Sequence, residues 1–183
     1  MAMRAILYGL FLASVAMTSS AADKRVTLNT GDTVSIKWGA DWVVGTAPPQ
    51  SPAGTFTVNG ANPALWRMSI APLPANPTLT GDVGNLRIYV RMMARGMENG
   101  GVEVDAEQKA LDGSYAHGFY YQARDPRPKT KAQIKQVGGD FTDTFTGALS
   151  INSRAYLFEI VWIKGGETAA NAALTALKSV NIQ

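Results

Sequence analysis

The chain contains no cysteine and only one histidine among its 183 residues. Disulfide bonds and thiolate metal sites are therefore excluded, and a lone histidine leaves only carboxylates to complete a metal site or an acid-base pair. The sequence also lacks a Gly-x-Ser-x-Gly nucleophile motif, and no glycine pair continues into the Lys-Ser/Thr of a phosphate-binding loop. We therefore expect no catalytic site of a known type, no cofactor and no metal.

A strong excess of charge of one sign is also missing, since 17 Lys and Arg are set against 14 Asp and Glu, for a formal net charge of +3. Domains that bind nucleic acid carry clustered basic faces and a more basic overall balance. We therefore expect a partner other than nucleic acid.

The N-terminal apolar run, residues 5–17, is shorter than the roughly 20 residues that span a bilayer. It follows a single basic residue, Arg4, and precedes a stretch of small residues, which together make the three regions of a secretory signal. We predict a cleaved signal peptide over residues 1–22, with cleavage after Ala21 or Ala22. The mature chain, residues 23–183, has the length of one domain and is expected to be periplasmic or secreted, without an integral membrane span.

The C-terminal quarter gives the clearest fold signal. Apolar residues alternate with threonines over 141–149, and the return strand over 155–163 is apolar on both faces except at Glu159. Two-sided apolarity indicates a strand in the middle of a sheet. Asn152 tolerates a positive φ and supplies the turn, and an alanine-rich apolar stripe after Glu167 predicts a final helix.

The upstream sequence predicts four short strands, a helix over 83–97, and then two strands over 102–107 and 114–122. Residues 124–139 are polar, and we expect a mobile loop there, with a short edge strand at 132–137. Antiparallel hairpins with helices between them indicate an α+β fold, in which a central antiparallel β-sheet is flanked by two main helices.

This order of elements resembles the Mog1/PsbP-like superfamily over roughly residues 80–183. The resemblance rests on the helix 83–97, the aromatic strand 115–121, the strand pair 141–149 and 155–162, and the terminal helix. It implies an α/β/α sandwich and a non-catalytic role as an accessory or interaction factor, and it carries over no site residue. An NTF2-like or cystatin-like α+β fold is the alternative.

Two sets of residues are candidates for binding. A basic segment within residues 124–135 carries five cations and one acid, which suits contact with an acidic protein, anionic lipid or cell-wall polymer; its cations are Arg124, Arg127, Lys129, Lys131 and Lys135. Six aromatic residues could instead line a groove for an apolar ligand; they are Trp38, Trp42, Trp66, Tyr115, Phe119 and Tyr121.

The sequence thus favours a non-catalytic accessory protein of the bacterial envelope that binds another protein through the basic segment. A carrier of an apolar ligand is one alternative. An uncatalogued enzyme centred on His117, with Asp105 as its carboxylate, is the other. The sequence leaves the partner and the oligomeric state open.

Overall fold

A computed structural model describes residues 22–73, 81–105, 107–137 and 139–183. The predicted signal peptide lies outside these residues, apart from Ala22, which begins the first strand. The described chain contains the following elements: β1 (Ala22–Thr27), β2 (Thr33–Trp38), β3 (Val43–Val44), β4 (Phe56–Asn59), β5 (Trp66–Pro72), α1 (Val83–Asn99), β6 (Glu103–Val104), β7 (Lys109–Asp112), β8 (Ala116–Arg124), α2 (Lys131–Val137), β9 (Asp143–Ile151), β10 (Arg154–Trp162), α3 (Glu167–Leu177) and β11 (Asn181–Ile182).

Eight of these strands form one antiparallel sheet. Its order is β3-β4-β5-β10-β9-β8-β6, with β7 paired to β8 as well. Strand β10 lies between β5 and β9, so the two-sided apolar strand is central, as predicted. The turn between β9 and β10 places Asn152 and Ser153 at positive φ values of 50° and 62°, a conformation that Asn tolerates better than most residues.

A hydrophobic core lies on each face of this sheet. On one face, α3 contributes Ala170, Ala173 and Leu177 to a core that also contains side chains of both sheets. On the other face, α1 contributes Leu86 and Val90 to a separate core. The α+β prediction, with a central antiparallel sheet between two main helices, is therefore confirmed.

A second sheet joins residues from the two ends of the described chain. It has the order β1-β2-β11, and all of its pairs are antiparallel. Val34 and Ile36 of β2 point into the core beneath α3, where Ile182 of β11 joins them. Within the described residues, no helix combines the length and the apolar character needed to cross a membrane.

The first long helix begins as its sequence indicates. The Asp82 carboxylate accepts hydrogen bonds from the backbone N–H groups of Gly84 and Asn85, at 2.7 and 3.1 Å, which satisfies two donors that lack partners in the helix. Gly100 caps the other end.

Two local predictions are wrong. Residues 131–137 form the helix α2 instead of an edge strand. The reason is a capping box: Thr130 Oγ1 accepts a hydrogen bond from Gln133 N, and Gln133 Oε1 accepts one from Thr130 N. The strand predicted over 102–107 is shorter, since β6 covers Glu103–Val104, and a second strand, β7, follows it at Lys109–Asp112. The two strands pair with different parts of β8.

Candidate functional site

Arg127 fastens the basic segment to the end of α1. Its guanidinium donates two hydrogen bonds to the Asp125 carboxylate, at 2.6 and 2.9 Å, and a third to Gly100 O at 2.7 Å. The bonds from Arg127 hold the pKa of Asp125 below its usual range. Arg127 is therefore a structural clamp, and its charge is neutralised locally.

Lys129 anchors the segment at a second point. Its Nζ donates a hydrogen bond to Phe141 O and lies 4.0 Å from the Asp140 carboxylate, and only 16% of its side chain is exposed. Together with Arg127, it ties the predicted mobile loop to the body of the protein in two places.

A buried arginine supports this second anchor. The Arg67 guanidinium carbon lies 5.1 Å from the centroid of the Phe141 ring, and its Nη2 lies 4.0 Å from the Glu159 carboxylate. Burial lowers the pKa of Arg67, although the charge of Glu159 opposes this shift. Arg67 thus fixes the residue whose carbonyl holds Lys129. The sequence places Arg67 on the polar side of β5 but does not indicate its burial.

The three remaining cations of the basic segment are presented to solvent. Lys131 and Lys135 are exposed and lie one turn apart on α2, where residues four apart are neighbours. Within the described part of the chain, neither side chain forms an ion pair. Arg124 is 64% exposed and approaches Asp143 at 3.9 Å, so its charge is only loosely paired.

Three further arginines precede the segment on α1, at intervals of four residues. Arg87 stacks over Phe119, with 5.4 Å between its guanidinium carbon and the ring centroid. Arg91 and Arg95 are exposed. Because Arg127 donates a hydrogen bond to Gly100 O, the basic segment lies beside the C-terminal end of this helix. This spacing of four is visible in the sequence.

The six aromatic residues of the predicted groove do not lie together. Trp38, Trp42 and Trp66 are buried in the core on the α3 face. The ring centroids of Trp38 and Trp42 are 5.9 Å apart, and those of Trp42 and Trp66 are 5.2 Å apart. Phe119 and Tyr121 belong to the core on the α1 face, and Tyr115 is 53% exposed. The groove prediction is wrong because the eight-stranded sheet separates its residues and core packing encloses most of them.

A cleft opens beside Trp42, one of these six residues. It has a volume of about 560 Å³ and lies between α3, the end of β2 and the turn after β7. Ala172 and Ala176 give it an apolar wall, and Lys37 and Lys178 lie at its edges. Only Trp42 of the predicted groove reaches it.

His117 is exposed on β8, and its Nδ1 lies 3.6 Å from the carboxylate of Asp112. Asp105 is bound instead to Lys109, at 3.2 Å, and its backbone N–H pairs with Gln122, five residues further along β8. Because a strand rises roughly 3.3 Å per residue, Gln122, and Asp105 beside it, lie about 17 Å along the strand from His117. The proposed pairing of His117 with Asp105 is therefore wrong. The described residues contain no cluster of three or more side chains suited to a metal ion.

No protein-family model matches the chain, and no curated protein matches its sequence. The solution structure of cyanobacterial PsbP (CyanoP) from Synechocystis sp. PCC 6803 is similar at 13% identity, with a TM-score of 0.49 over 94% of this chain and 98% of that chain.

The Ran-binding protein Mog1p of Saccharomyces cerevisiae is similar at 13% identity, with a TM-score of 0.43 over 84% of each chain. A mutant of Mog1 gives a TM-score of 0.44 at 12% identity, over 86% of each chain.

Proposed function

We propose that this protein is a non-catalytic accessory factor that binds an acidic partner protein through its basic segment. The observation that carries this proposal is the division of labour among the five cations. Arg127 and Lys129 hold the segment in place, whereas Lys131 and Lys135 extend from it into solvent.

The anchors Arg127 and Lys129 should lower the entropy cost of binding a partner. A flexible loop loses conformational entropy when it binds, whereas a segment already fixed at several points loses less. Exposed lysines on such a segment increase the rate of encounter with an acidic surface and help to set orientation. The binding should therefore weaken as salt concentration rises.

The experiment reverses the charge of Lys131 and Lys135 by substitution with Glu and measures retention of envelope proteins from the source organism on the immobilised protein. We expect a loss of about tenfold or more at low salt and little difference at high salt. The matched control changes Arg25 and Lys164 to Glu, which alters the net charge equally at exposed positions outside both candidate sites. Equal retention by the two variants would contradict the proposal.

The location at the envelope is a proposal that rests on the signal-like residues 1–22. N-terminal sequencing of the protein from periplasmic and culture-medium fractions should find a mature chain that begins at Ala22 or Asp23. A chain found only in the cytoplasm with residues 1–22 still attached would contradict it.

A second candidate function is the binding of a small apolar ligand in the cleft beside Trp42. Its volume of about 560 Å³ lies within the range of ligand sites. A dye that fluoresces in apolar surroundings should bind the folded protein, and Ala176→Arg should displace it. Absence of fluorescence with the wild-type protein would remove this candidate.

A further inference from the structure

Helix α1 has more apolar surface than the sheet covers. Leu86 and Val90 are fully buried against β8 and β9, whereas Ile88 and Met92 are 61% and 65% exposed. These two are the most exposed large apolar side chains among the described residues. They lie four residues apart and therefore form one ridge on the outside of the helix.

The exposed ridge extends the buried face. Successive residues of a helix are separated by about 100°, so the apolar positions cover an arc of about 200°, which is wider than a typical core-facing stripe. In order around the helix, these positions are Val90, Leu86, Met93, Tyr89, Met92 and Ile88. Tyr89 and Met93 are half-buried and link the buried part of the arc to the exposed part. Over residues 86–93 the apolar surface is thus continuous from the buried face to the exposed ridge.

Positive charge borders this ridge. Arg91 and Arg95 are exposed and follow Ile88 by three and seven residues, so they lie beside it on the helix surface. The helix carries three arginines and a single acid, Glu98. A second copy of the chain placed on this face would bring two sets of arginines together, and the like charges would oppose association. The bordering charge therefore favours an acidic occupant.

The geometry also favours a helix over a membrane surface. Interfacial helices bury a broad apolar face in the lipid, but here the broad part of the arc is committed to the core through Leu86 and Val90. One ridge with a spacing of four is instead the unit that packs into the groove between ridges of a second helix.

We propose that the exposed face of α1, formed by Ile88, Met92, Arg91 and Arg95, binds an acidic amphipathic helix of the partner protein. This inference rests on the proposed function, and it adds a second contact surface that joins the basic segment at Gly100. The partner helix presents an apolar stripe to Ile88 and Met92, with Asp or Glu beside it.

The test uses a synthetic amphipathic helix of about 20 residues, with Leu at every third or fourth position and Glu on both flanks. Its binding to the full chain is followed by fluorescence anisotropy. We expect salt-sensitive binding that falls about tenfold or more when Ile88 and Met92 are both changed to Ala. The matched control is the double change of Val43 and Val44 to Ala, which removes two other exposed apolar side chains, 47% and 48% exposed on β3, and should leave binding unchanged.

A charge exchange makes the test specific. Arg91→Glu with Arg95→Glu should abolish binding of the Glu peptide and create binding of a peptide with Lys in place of each Glu. The proposal fails if the Glu peptide does not bind the wild-type chain, or if the Ile88 and Met92 changes leave its affinity unaltered. Two other results would identify a different occupant of this face. Binding of phosphatidylglycerol and phosphatidylcholine vesicles without binding of the Glu peptide would indicate a membrane. A wild-type dimer that dissociates when Ile88 and Met92 are changed to Ala would indicate a second copy of the chain.

Failure here is separable from failure of the proposed function. The changes at Ile88 and Met92 leave Lys131 and Lys135 intact, so the envelope-retention assay can be repeated with them. If only the lysine variant loses retention, the basic segment acts without α1. If neither variant loses it, both proposals fail.

Discussion

The two long helices lie on opposite faces of the same sheet and are used differently. Helix α3 begins at Glu167, its N-cap residue Gly166 provides no side-chain hydrogen bond, and four of its 11 residues, all of them Ala or Leu, are buried. Helix α1 has 17 residues and a carboxylate cap but fully buries only two of them. Both helices pack on the sheet, α3 through small side chains and α1 through Leu86 and Val90. Helix α1 differs because it also leaves large apolar side chains, Ile88 and Met92, exposed on its outer face.

The largest effect should come from the packed helix. Leu177→Ala in α3 removes a fully buried side chain from the core on that face, and the cavity should lower the free energy of unfolding by about 2–5 kcal/mol. Urea denaturation measures this loss.

The control for this comparison is Ile88→Ala on α1, which removes a similar volume from an exposed position. Its free energy of unfolding should change by only about 0.5 kcal/mol or less. A large loss for Ile88→Ala would show that the outer face of α1 is needed for folding, and the contrast between the helices would disappear.

A smaller effect is expected at the cap of α1. Asp82→Ala removes the acceptor of two backbone N–H groups and should lower the free energy of unfolding by about 1 kcal/mol. Asp82→Ser keeps a capping oxygen and should recover most of the loss. If thermal unfolding shows equal losses for Ala and Ser, capping is not what holds this end of the helix.

The smallest effect concerns the clamp that joins α1 to the basic segment. The pKa of Asp125 is lowered in the folded protein by its bonds from Arg127. Its contribution to stability is therefore complete above the ordinary carboxyl pKa of about 3.9 and disappears as pH falls through the lower folded value. Because the pair is partly exposed, Asp125→Asn should lower the free energy of unfolding at neutral pH by about 1 kcal/mol or less.

Urea denaturation of both proteins at a series of pH values tests this clamp. The difference between wild type and Asp125→Asn should shrink toward zero on acidification below about pH 4. A difference that stays constant through this range would mean that Asp125 acts through packing and not through its charge.

Most of the fold could be predicted because its signals are local. The alternation of residues 141–149, the turn at Asn152 and the spacing of Leu86 and Val90 each depend on neighbours in the sequence. The signal for helix α2 is also local, since Thr130 and Gln133 stand at capping-box positions. The polar composition of residues 124–139 nevertheless favours a loop, and this composition outweighs the short capping signal in the sequence.

The candidate surface was only partly predictable. The charges of residues 124–135 are visible in the sequence, but which of them are anchors depends on Gly100 and Phe141, residues distant along the chain. The prediction of an aromatic groove is wrong for a related reason. Side-chain alternation assigns Phe119 and the tryptophans to faces of their own strands, but it does not say which faces of different strands coincide.

The three-stranded sheet has a consequence for how the chain folds as it is made. Ser35 of β2 pairs with Asn181 of β11, and Lys37 N donates to Ser179 Oγ across 142 residues of sequence. Until residue 182 has been synthesised, β2 has a partner on one side only, and the core beneath α3 lacks Ile182. Contacts between residues so far apart form slowly. The core beneath α3 should therefore stay incomplete in the nascent chain until residue 182 has been synthesised and β11 has paired with β2.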